Sequence, residues 1–469
     1  MTSPDPGASR REAVFSVLAV LLSALVVVTC AATQPRDPTP PLPLLAFPAP
    51  VAPRGSSGVA GGPAPPGSAS ASPGASSSAE ALPSAVASAE APSSALTPTP
   101  GGPLARFHGA LAALEARERK THVRILWLGD SHTAADLWTG EVRRALQRRY
   151  GDGGPGFVHV GWEKYRHEKA STKVNGKWRT EPGDYARLKR YDDGVQGLGG
   201  VRHVPKEPGA EATVELRGAS GDEYTWTTAY RLPEGAAVEI AAGDEPAKAL
   251  PRGPGDPGPI LHHVAKTTGA HRVRWKALRG KPQLLGVTVE ARKPGLILDT
   301  VGLNGARVGT FLGWEPEAWV SEATQRRPDL VVLAFGTNES SDVEPKAERY
   351  QQAARQLLER LRRAAPGADC LVVTPMDRAG AEYPARLAEI SRGLAAAAEA
   401  GGCGVWSALE VMGGPGGMAR WAAEAKPRGG ADGIHLTARG YAALGESLAR
   451  FLVPGGGSKA GLPPESKQP

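Results

Sequence analysis

Two apolar runs, each followed by a short polar block, constrain the fold of this chain most strongly. Residues 123–128 read Val-Arg-Ile-Leu-Trp-Leu and lead into a Gly-Asp-Ser-His block that contains Ser131. Residues 330–335 read Leu-Val-Val-Leu-Ala-Phe and lead into a Gly-Thr-Asn-Glu block that contains Asn338. Such runs are typical of parallel strands buried on both faces. Because open α/β sheets carry their chemistry at the carboxyl ends of the strands, we expect Ser131 and Asn338 to lie at one sheet edge.

From residue 104 onward, strand and helix patterns alternate, which predicts an α/β fold with a parallel sheet and helices on both faces. A segment of different character interrupts the alternation, so this domain is predicted in two parts, 104–164 and 296–455. The further predicted elements are strands at 296–301, 371–374 and 405–406, and helices at 135–150, 315–325, 346–364, 385–400 and 438–451.

The interrupting segment, 165–295, has short strands, frequent turns and no helical periodicity. This pattern predicts an all-β sandwich inserted into the α/β domain. Its aromatic side chains have two interpretations: a sandwich core, which we favour, or a carbohydrate-binding surface on which sugars stack. These residues are Trp178, Tyr224, Trp226, Tyr230 and Trp275. The predicted strands are 212–216, 224–231, 237–241, 273–278 and 284–291.

The first 32 residues have the pattern of an export segment. Two arginines precede an apolar run over 13–28, which ends in Cys30 and two alanines, as in a signal peptide. Because the run is nearly long enough to cross a bilayer, residues 1–32 are expected to be either a cleaved signal or an N-terminal membrane anchor. A lipoprotein signal ranks behind both, since Thr29 is unusual before a lipidated cysteine. We therefore expect an exported protein of the periplasm or cell envelope.

Two further segments are predicted to be disordered. Residues 33–103 are almost entirely Pro, Ala, Ser and Gly, and such a composition cannot bury enough apolar surface to offset the entropy of ordering. The tail, 456–469, is expected to behave in the same way. The 33–103 tether would let an enzyme held at a membrane reach a distant polymer, although a simple spacer explains its composition equally well.

The charge of the chain argues against some partners. The net charge is +7, but the basic pairs are scattered through helical patterns, which favours solvated faces with a mild attraction to anionic envelope polymers. Because no nucleic-acid-binding motif accompanies the charge, nucleic acid is not an expected partner. No Cys-x-x-Cys motif or histidine-rich cluster suggests a metal site.

Beyond Cys30, the chain contains two cysteines, Cys370 and Cys403, each at the start of a predicted strand. In an exported protein they can pair if the two strands are neighbours. The sequence alone slightly favours two buried thiols.

Three separate blocks supply the residue types that acyl transfer at an ester requires. Ser131, between a strand and a helix, is the predicted nucleophile. Asp432 and His435 lie three apart in a polar turn, so the carboxylate can orient the imidazole that takes the serine proton. Asn338 can donate its side-chain N–H to the oxyanion. Each block alone is a weak signal, whereas the three in this order predict a serine hydrolase.

Two neighbours of Ser131 are given other roles. Asp130 is expected to fix the turn through its carboxylate, and His132 is expected to be a packing or substrate-contacting residue, because it follows the serine too closely to be assumed the base. His122, His159, His167 and His203 are weaker candidates for the base, since none of them has the context of His435.

The order of these blocks and the residues in them resemble those of the SGNH (GDSL-type) hydrolases. The run Gly-Asp-Ser-His-Thr-Ala-Ala-Asp at 129–136, followed by Gly-Gly-Pro-Gly-Phe at 153–157, more specifically resembles bacterial peptidoglycan O-acetylesterases. The resemblance covers approximately 104–160 and 296–455, and it implies a flavodoxin-like α/β/α hydrolase domain that uses no cofactor. It also implies that the N–H of Gly305, rather than that of Gly302, joins Ser131 N–H and the Asn338 side chain in a three-donor oxyanion hole.

Together, the residues and the resemblance predict a serine esterase that removes O-acetyl groups from cell-wall polysaccharide, with O-acetylated peptidoglycan as the implied partner. A polysaccharide O-acetyltransferase would use the same residues, with a sugar hydroxyl in place of water. A GDSL-type lipase or thioesterase would need an apolar acyl pocket, and no apolar lid segment is evident. A cell-wall carbohydrate-binding protein is the non-enzymatic alternative, although no catalytic residue type is missing.

Overall fold

The computed structural model describes residues 101–183, 190–219, 221 and 223–455. The predicted export segment, nearly all of the predicted tether and the C-terminal tail lie outside the described residues. Among the residues that are described, no helix is long and apolar enough to cross a membrane.

The first part of the α/β fold runs from the described N-terminus to residue 150. Its elements are α1 (Ala105–Glu115), β1 (Val123–Gly129), α2 (Ser131–Ala134) and α3 (Trp138–Tyr150). The prediction of one helix over 135–150 is wrong at its start, because Asp136 has a left-handed backbone (φ 47°) that separates α2 from α3. The Asp136 carboxylate accepts a 2.7 Å hydrogen bond from Thr139 Oγ1 in the first turn of α3, which stabilises the break.

The middle of the chain forms two antiparallel sheets. One has the strand order β10-β7-β12-β5-β4, with β2 also paired to β12, and the other has the order β3-β6-β11-β8-β9. The predicted strands correspond to β6, β7, β8, β11 and β12, and the other six were not predicted. The bounds are β2 (Gly156–Val158), β3 (Ala170–Asn175), β4 (Trp178–Glu181), β5 (Arg202–Pro205), β6 (Glu211–Leu216), β7 (Glu223–Arg231), β8 (Ala237–Ala242), β9 (Lys248–Ala249), β10 (Leu261–Thr268), β11 (Arg272–Arg279) and β12 (Gln283–Ala291).

The two antiparallel sheets contribute side chains to one hydrophobic core. Four of the five aromatic residues considered above lie in it, each no more than 2% exposed: Tyr224, Trp226, Tyr230 and Trp275. Trp178 is partly buried against the same cluster. The interpretation of these residues as core is therefore confirmed for four of them, and their rings form no exposed sugar-stacking surface.

The chain then returns to the α/β fold. The remaining elements are β13 (Leu296–Gly302), α4 (Pro316–Arg326), β14 (Leu330–Ala334), α5 (Ala347–Ala364), β15 (Asp369–Thr374), α6 (Tyr383–Ala400), β16 (Gly404–Ser407), α7 (Ala408–Val411), α8 (Gly417–Ala422) and α9 (Ala438–Leu452), with 3₁₀ turns at Thr310–Gly313 and Glu339–Ser341.

The parallel sheet has the strand order β13-β1-β14-β15-β16, which is the flavodoxin-like order. Alternate residues of β1 point to opposite layers. Ile125 and Trp127 pack with α1, α3 and α9, whereas Leu126 and Leu128 pack with α4, α5 and α6. The predicted α/β fold with helices on both faces is therefore confirmed, and the register aligns the carboxyl ends of β1, β13 and β14.

The expectation of two free thiols is wrong. Strands β15 and β16 are parallel neighbours whose register pairs Leu371 with Gly404, so the residues just before them, Cys370 and Cys403, lie side by side. Their Cα atoms are 4.7 Å apart and the two cysteines form a disulfide. The sequence could not decide this point because it did not show that the two strands are adjacent.

Candidate active site

Ser131 lies where β1 ends and α2 begins, at the carboxyl edge of the parallel sheet. The chain leaves β1 through a tight turn that requires glycine at position 129. A Cβ on Gly129 would lie 2.0 Å from Thr133 Oγ1 and 2.9 Å from the Ala334 carbonyl. Asp130 caps α2 by accepting a 3.0 Å hydrogen bond from His132 N–H. As the first residue of the helix, Ser131 has a backbone N–H with no intrahelical acceptor, so this N–H is available to a substrate.

The structure brings the three predicted catalytic side chains into one hydrogen-bonded chain. Ser131 Oγ lies 2.9 Å from His435 Nε2, although the residues are 304 positions apart. On the other side of the imidazole, His435 Nδ1 lies 2.7 Å from Asp432 Oδ2. This geometry leaves His435 Nε2 facing the serine hydroxyl, as a general base requires.

Backbone contacts hold the Asp432 carboxylate in this position. Its Oδ1 accepts hydrogen bonds from the N–H groups of Ile434 (3.0 Å) and His435 (2.9 Å). Partial burial would raise the pKa of Asp432, but the hydrogen bonds from the His435 ring and from these two N–H groups outweigh it and lower the pKa. The carboxylate is therefore ionised and suited to stabilising an imidazolium.

The site is open to solvent. The side chains of His435 and Asp432 are 43% and 50% exposed, and Ser131 is half-buried. A large substrate can therefore approach the serine without displacing a covering segment from these residues.

Asn338 and Gly305 lie at the carboxyl ends of the two strands that flank β1. Asn338 Nδ2 donates one hydrogen bond, 2.9 Å long, to the Ala306 carbonyl, which fixes the amide and leaves its second hydrogen for a ligand. Gly305 has a left-handed backbone (φ 76°), which favours glycine. Gly302 has a different role, since a Cβ there would lie 2.2 Å from Ala134 N, where α2 packs closely on β13.

A second hydrogen bond that holds the Gly305 loop was not predicted from the sequence. Glu339 Oε1 accepts a 2.8 Å hydrogen bond from Val308 N–H, next to the bond that Asn338 makes. Arg307 of the same loop forms a 2.7 Å ion pair with Asp342. The segment that follows β14 therefore holds the glycine loop at three points, and Glu339 contributes one of them.

Two buried carboxyl groups lie behind the site. Asp130 and Glu339 are each only 2% exposed. Burial raises the pKa of Asp130 to about 7, against the hydrogen bond from His132 N–H, and the charge of Glu339 adds to the rise. Burial likewise raises the pKa of Glu339.

His132 packs behind His435 and has no access to a substrate, as it is 3% exposed. Its Nδ1 lies 2.8 Å from the Tyr441 hydroxyl, and its ring centroid is 5.1 Å from that of His435. Burial, together with the nearby His435, lowers the pKa of His132 to about 3, so this imidazole is neutral. Of the two roles considered for His132, packing is confirmed.

The other histidines considered as bases have partners elsewhere. His122 Nδ1 accepts a hydrogen bond from Gly295 N–H. His159 and His203 contact each other through ring nitrogens 3.2 Å apart. His167 Nδ1 accepts from Lys169 N–H. In the described part of the chain, no three His, Cys, Asp or Glu side chains are grouped so that they could hold a metal ion.

Comparison with known proteins supports the resemblance drawn from the motifs. Residues 267–443 match the model of the GDSL-like lipase/acylhydrolase family. The match includes Gly305, Asn338, Asp432 and His435, but not Ser131. No curated protein sequence matches the chain.

A solved structure of a peptidoglycan O-acetylesterase is similar to this chain at 22% identity, with a TM-score of 0.63, covering 75% of this chain and 95% of its own. At this identity, the likeness shows a shared fold. A family two carbohydrate esterase from Cellvibrio japonicus (11% identity, TM-score 0.25, covering 60% of this chain and 98% of its own) is too distant to support an argument. The resemblance to GDSL-type hydrolases, with a peptidoglycan O-acetylesterase among the similar folds, is confirmed.

Proposed function

We propose that this protein is a serine esterase that hydrolyses O-acetyl groups on cell-wall polysaccharide, with peptidoglycan as the substrate. The observation that carries the proposal is the chain of hydrogen bonds from Ser131 Oγ through His435 to Asp432, at an exposed edge of the sheet.

The mechanism follows from this geometry. His435, oriented by Asp432, takes the Ser131 proton as Oγ attacks the acetyl carbonyl. The oxyanion accepts hydrogen bonds from Ser131 N–H, Gly305 N–H and Asn338 Nδ2. His435 then protonates the leaving sugar oxygen, and water hydrolyses the acetyl-enzyme by the same route in reverse. Each oxyanion donor is expected to contribute about 3 kcal/mol to transition-state stabilisation.

Two features support a polymeric glycan as the substrate. The exposed His435 and Asp432 leave room for a chain to lie across the site. The match to the peptidoglycan O-acetylesterase structure spans 75% of this chain, which is more than the α/β part alone. The shared fold therefore extends into the antiparallel sheets. We propose that these sheets, which share one core, form a β-sandwich inserted into the hydrolase domain at 165–295.

We also propose that the protein acts outside the cytoplasm, in the periplasm or cell envelope, held or exported by residues 1–32. The disulfide between Cys370 and Cys403 supports this location, because such bonds persist in oxidising compartments.

Acetate release from O-acetylated peptidoglycan by the full chain tests the proposal. Ser131→Ala is expected to abolish release, whereas Ser321→Ala, on the exposed face of α4, is expected to retain the wild-type rate. Serine-dependent cleavage of a small acetyl ester without release from peptidoglycan would retain the chemistry and reject the substrate. Release by Ser131→Ala at the wild-type rate would reject both.

A further inference from the structure

The loop between β15 and α6, residues 375–382, borders the candidate active site. Ala379 N–H donates a 2.8 Å hydrogen bond to the carbonyl of Gly433, which lies between Asp432 and His435 in the chain. Arg378, in the same loop, contacts the segment that follows β14 instead: its Nη1 donates a hydrogen bond to Ser340 Oγ (3.0 Å). Arg378 therefore stands between the segment that carries Asn338 and the turn that carries the Asp–His pair.

A second arginine lies next to it. Tyr383 begins α6, and its ring lies 4.0 Å from the guanidinium of Arg378 and 5.8 Å from that of Arg386. Both arginines are half-buried. Arg386 Nη1 also contacts the Ser340 carbonyl, at 3.4 Å. Both guanidinium groups therefore contact the Tyr383 ring and the 3₁₀ turn that contains Ser340.

The partners of these arginines are neutral. Arg378 bonds the hydroxyls of Ser340 and Ser341, and across the described ranges neither it nor Arg386 forms a salt bridge. Arg307, on the glycine loop, differs in this respect because Asp342 neutralises it. Hydroxyl and carbonyl partners orient a guanidinium without cancelling its charge, so Arg378 keeps donors for a planar anion such as a carboxylate.

We propose that Arg378, supported by Tyr383 and Arg386, binds a carboxylate on the glycan whose O-acetyl group reaches Ser131. The inference rests on the proposed esterase function and deepens it by naming the substrate class: an acetylated glycan that carries carboxylates near the acetylated sugar. In peptidoglycan the carboxylates are those of the stem peptides. A uronic-acid polymer offers the same group on the sugar itself, whereas acetylated xylan without uronate branches lacks it.

The test compares kcat/KM of the full chain for O-acetylated peptidoglycan, O-acetylated pectin and such a neutral acetylated xylan. Arg378→Gln is expected to lower the ratio of peptidoglycan to xylan kcat/KM by about 10-fold or more, mainly through KM, as for loss of a charge-assisted hydrogen bond. Arg148→Gln, an exposed position on α3, serves as the matched control and is expected to leave the ratio unchanged. A lower kcat/KM of Arg378→Gln for peptidoglycan alone would assign the bound carboxylate to the stem peptide. A lower kcat/KM for pectin as well would show that Arg378 binds a carboxylate from either source.

A second measurement covers the case in which Arg378→Gln does not fold. The wild-type ratio of peptidoglycan to xylan turnover is expected to fall as NaCl is raised, because salt screens exposed charge pairs. A ratio unaffected by salt, or an equal loss on all three polymers in Arg378→Gln, would overturn the inference. If the wild type releases no acetate from peptidoglycan but Arg378→Gln selectively loses turnover of pectin, the proposed substrate fails and the role of Arg378 stands.

Discussion

Because Asp432 lies three residues before His435, its carboxylate can accept hydrogen bonds from both the imidazole ring and the backbone N–H of that histidine. Oδ2 binds His435 Nδ1, while Oδ1 accepts two N–H groups of the same turn. These three hydrogen bonds therefore involve only two other residues, Ile434 and His435, of the same turn. This local pairing explains why the pair could be predicted once the Ser131 and Asn338 blocks were found in order before it, whereas its contact with Ser131 required the whole fold.

Asp432→Asn is expected to lower kcat by roughly 10³-fold or more, because the amide favours the wrong imidazole tautomer for proton transfer from Ser131. KM is expected to change little, since Asp432 lies behind His435. Steady-state kinetics on a small acetyl ester, with circular dichroism to verify folding, measure the effect. Wild-type kcat in this variant would remove Asp432 from the mechanism.

The buried carboxyl of Asp130 has a consequence for stability. Its folded-state pKa of about 7 lies above the value of about 3.9 expected in the unfolded chain. Between these values the folded protein holds a proton that the unfolded chain has released. Stability from this group is therefore fully present below about pH 4 and is lost as the pH rises through 7.

Asp130→Asn is expected to remove this pH dependence while retaining a residue that can cap α2. The wild-type melting temperature, relative to that of the variant, is expected to fall between pH 4 and pH 7 and then to level off. Thermal unfolding at several pH values in one ionic strength measures the difference. A difference that stays constant across this range would contradict the account.

Glu339 illustrates a residue that the sequence could not assign. It follows Asn338 directly, and nothing in the block indicates that its carboxylate turns inward to bind Val308 N–H. That contact depends on β13 and β14 both flanking β1, which is a property of the sheet order. The pairing of Asp432 with His435 was predictable because the two residues are neighbours in the chain, whereas the contact of Glu339 was not, because its partner follows another strand.

At the scale of elements, the break between α2 and α3 shows how tertiary contacts override a helical pattern. The apolar spacing over 135–150 is compatible with one helix, but the Asp136 carboxylate binds Arg143 Nη1 and Nη2, each at 3.0 Å. It also accepts a 2.7 Å hydrogen bond from Glu168 N–H. The left-handed backbone of Asp136 places the carboxylate among these partners, and no local pattern predicts them.

The disulfide joins two neighbouring strands across a separation of 33 residues. Closing a loop of this length is expected to stabilise the fold by about 3 to 4 kcal/mol in the chain-entropy account. The double variant Cys370→Ala, Cys403→Ala is therefore expected to unfold at a lower temperature, and a reducing agent is expected to lower the wild-type transition to the same extent. A variant that melts at the oxidised wild-type temperature would show that the bond contributes no stability.

At the scale of the whole molecule, a buried ion pair of the α/β fold, Arg143 with Asp136, also contacts the segment that leads into the antiparallel sheets. Arg143, whose side chain is fully buried, binds Asp136, Thr300 Oγ1 on β13 (2.6 Å) and Glu168 Oε2 just before β3 (3.4 Å). Burial alone would raise the pKa of Asp136, but the charges of Arg143 and His167 outweigh it and lower the pKa. The pair is therefore ionised in the interior.

Arg143→Ala is expected to destabilise the protein by about 3 to 5 kcal/mol, because it leaves the Asp136 carboxylate buried without its partner. Arg144→Ala, one position further along α3 with its side chain 45% exposed, is the matched control, and a loss below about 1 kcal/mol is expected. Denaturant midpoints of the three proteins measure the contrast. Similar midpoints for Arg143→Ala and the wild type would contradict it.

The α/β fold could be predicted from the sequence because its strands are continuous apolar runs with helices between them. The antiparallel sheets could be predicted only in part, since most positions of β3, β4 and β10 are partly or fully exposed and these strands have weak apolar alternation. The pairing of β2 with β12, which links the two regions, is a long-range contact that no local pattern indicates.

The most direct test of the central claim is detection of the acetyl-enzyme. The full chain is mixed with an excess of a small acetyl ester, quenched in acid within the first turnovers and digested, and the peptides are analysed by mass spectrometry. The account predicts one acetyl group on the peptide that contains Ser131, its absence in Ser131→Ala, and its accumulation in Asp432→Asn if deacylation becomes the slower step. An acetyl group on another residue, or undiminished turnover by Ser131→Ala, would contradict the account.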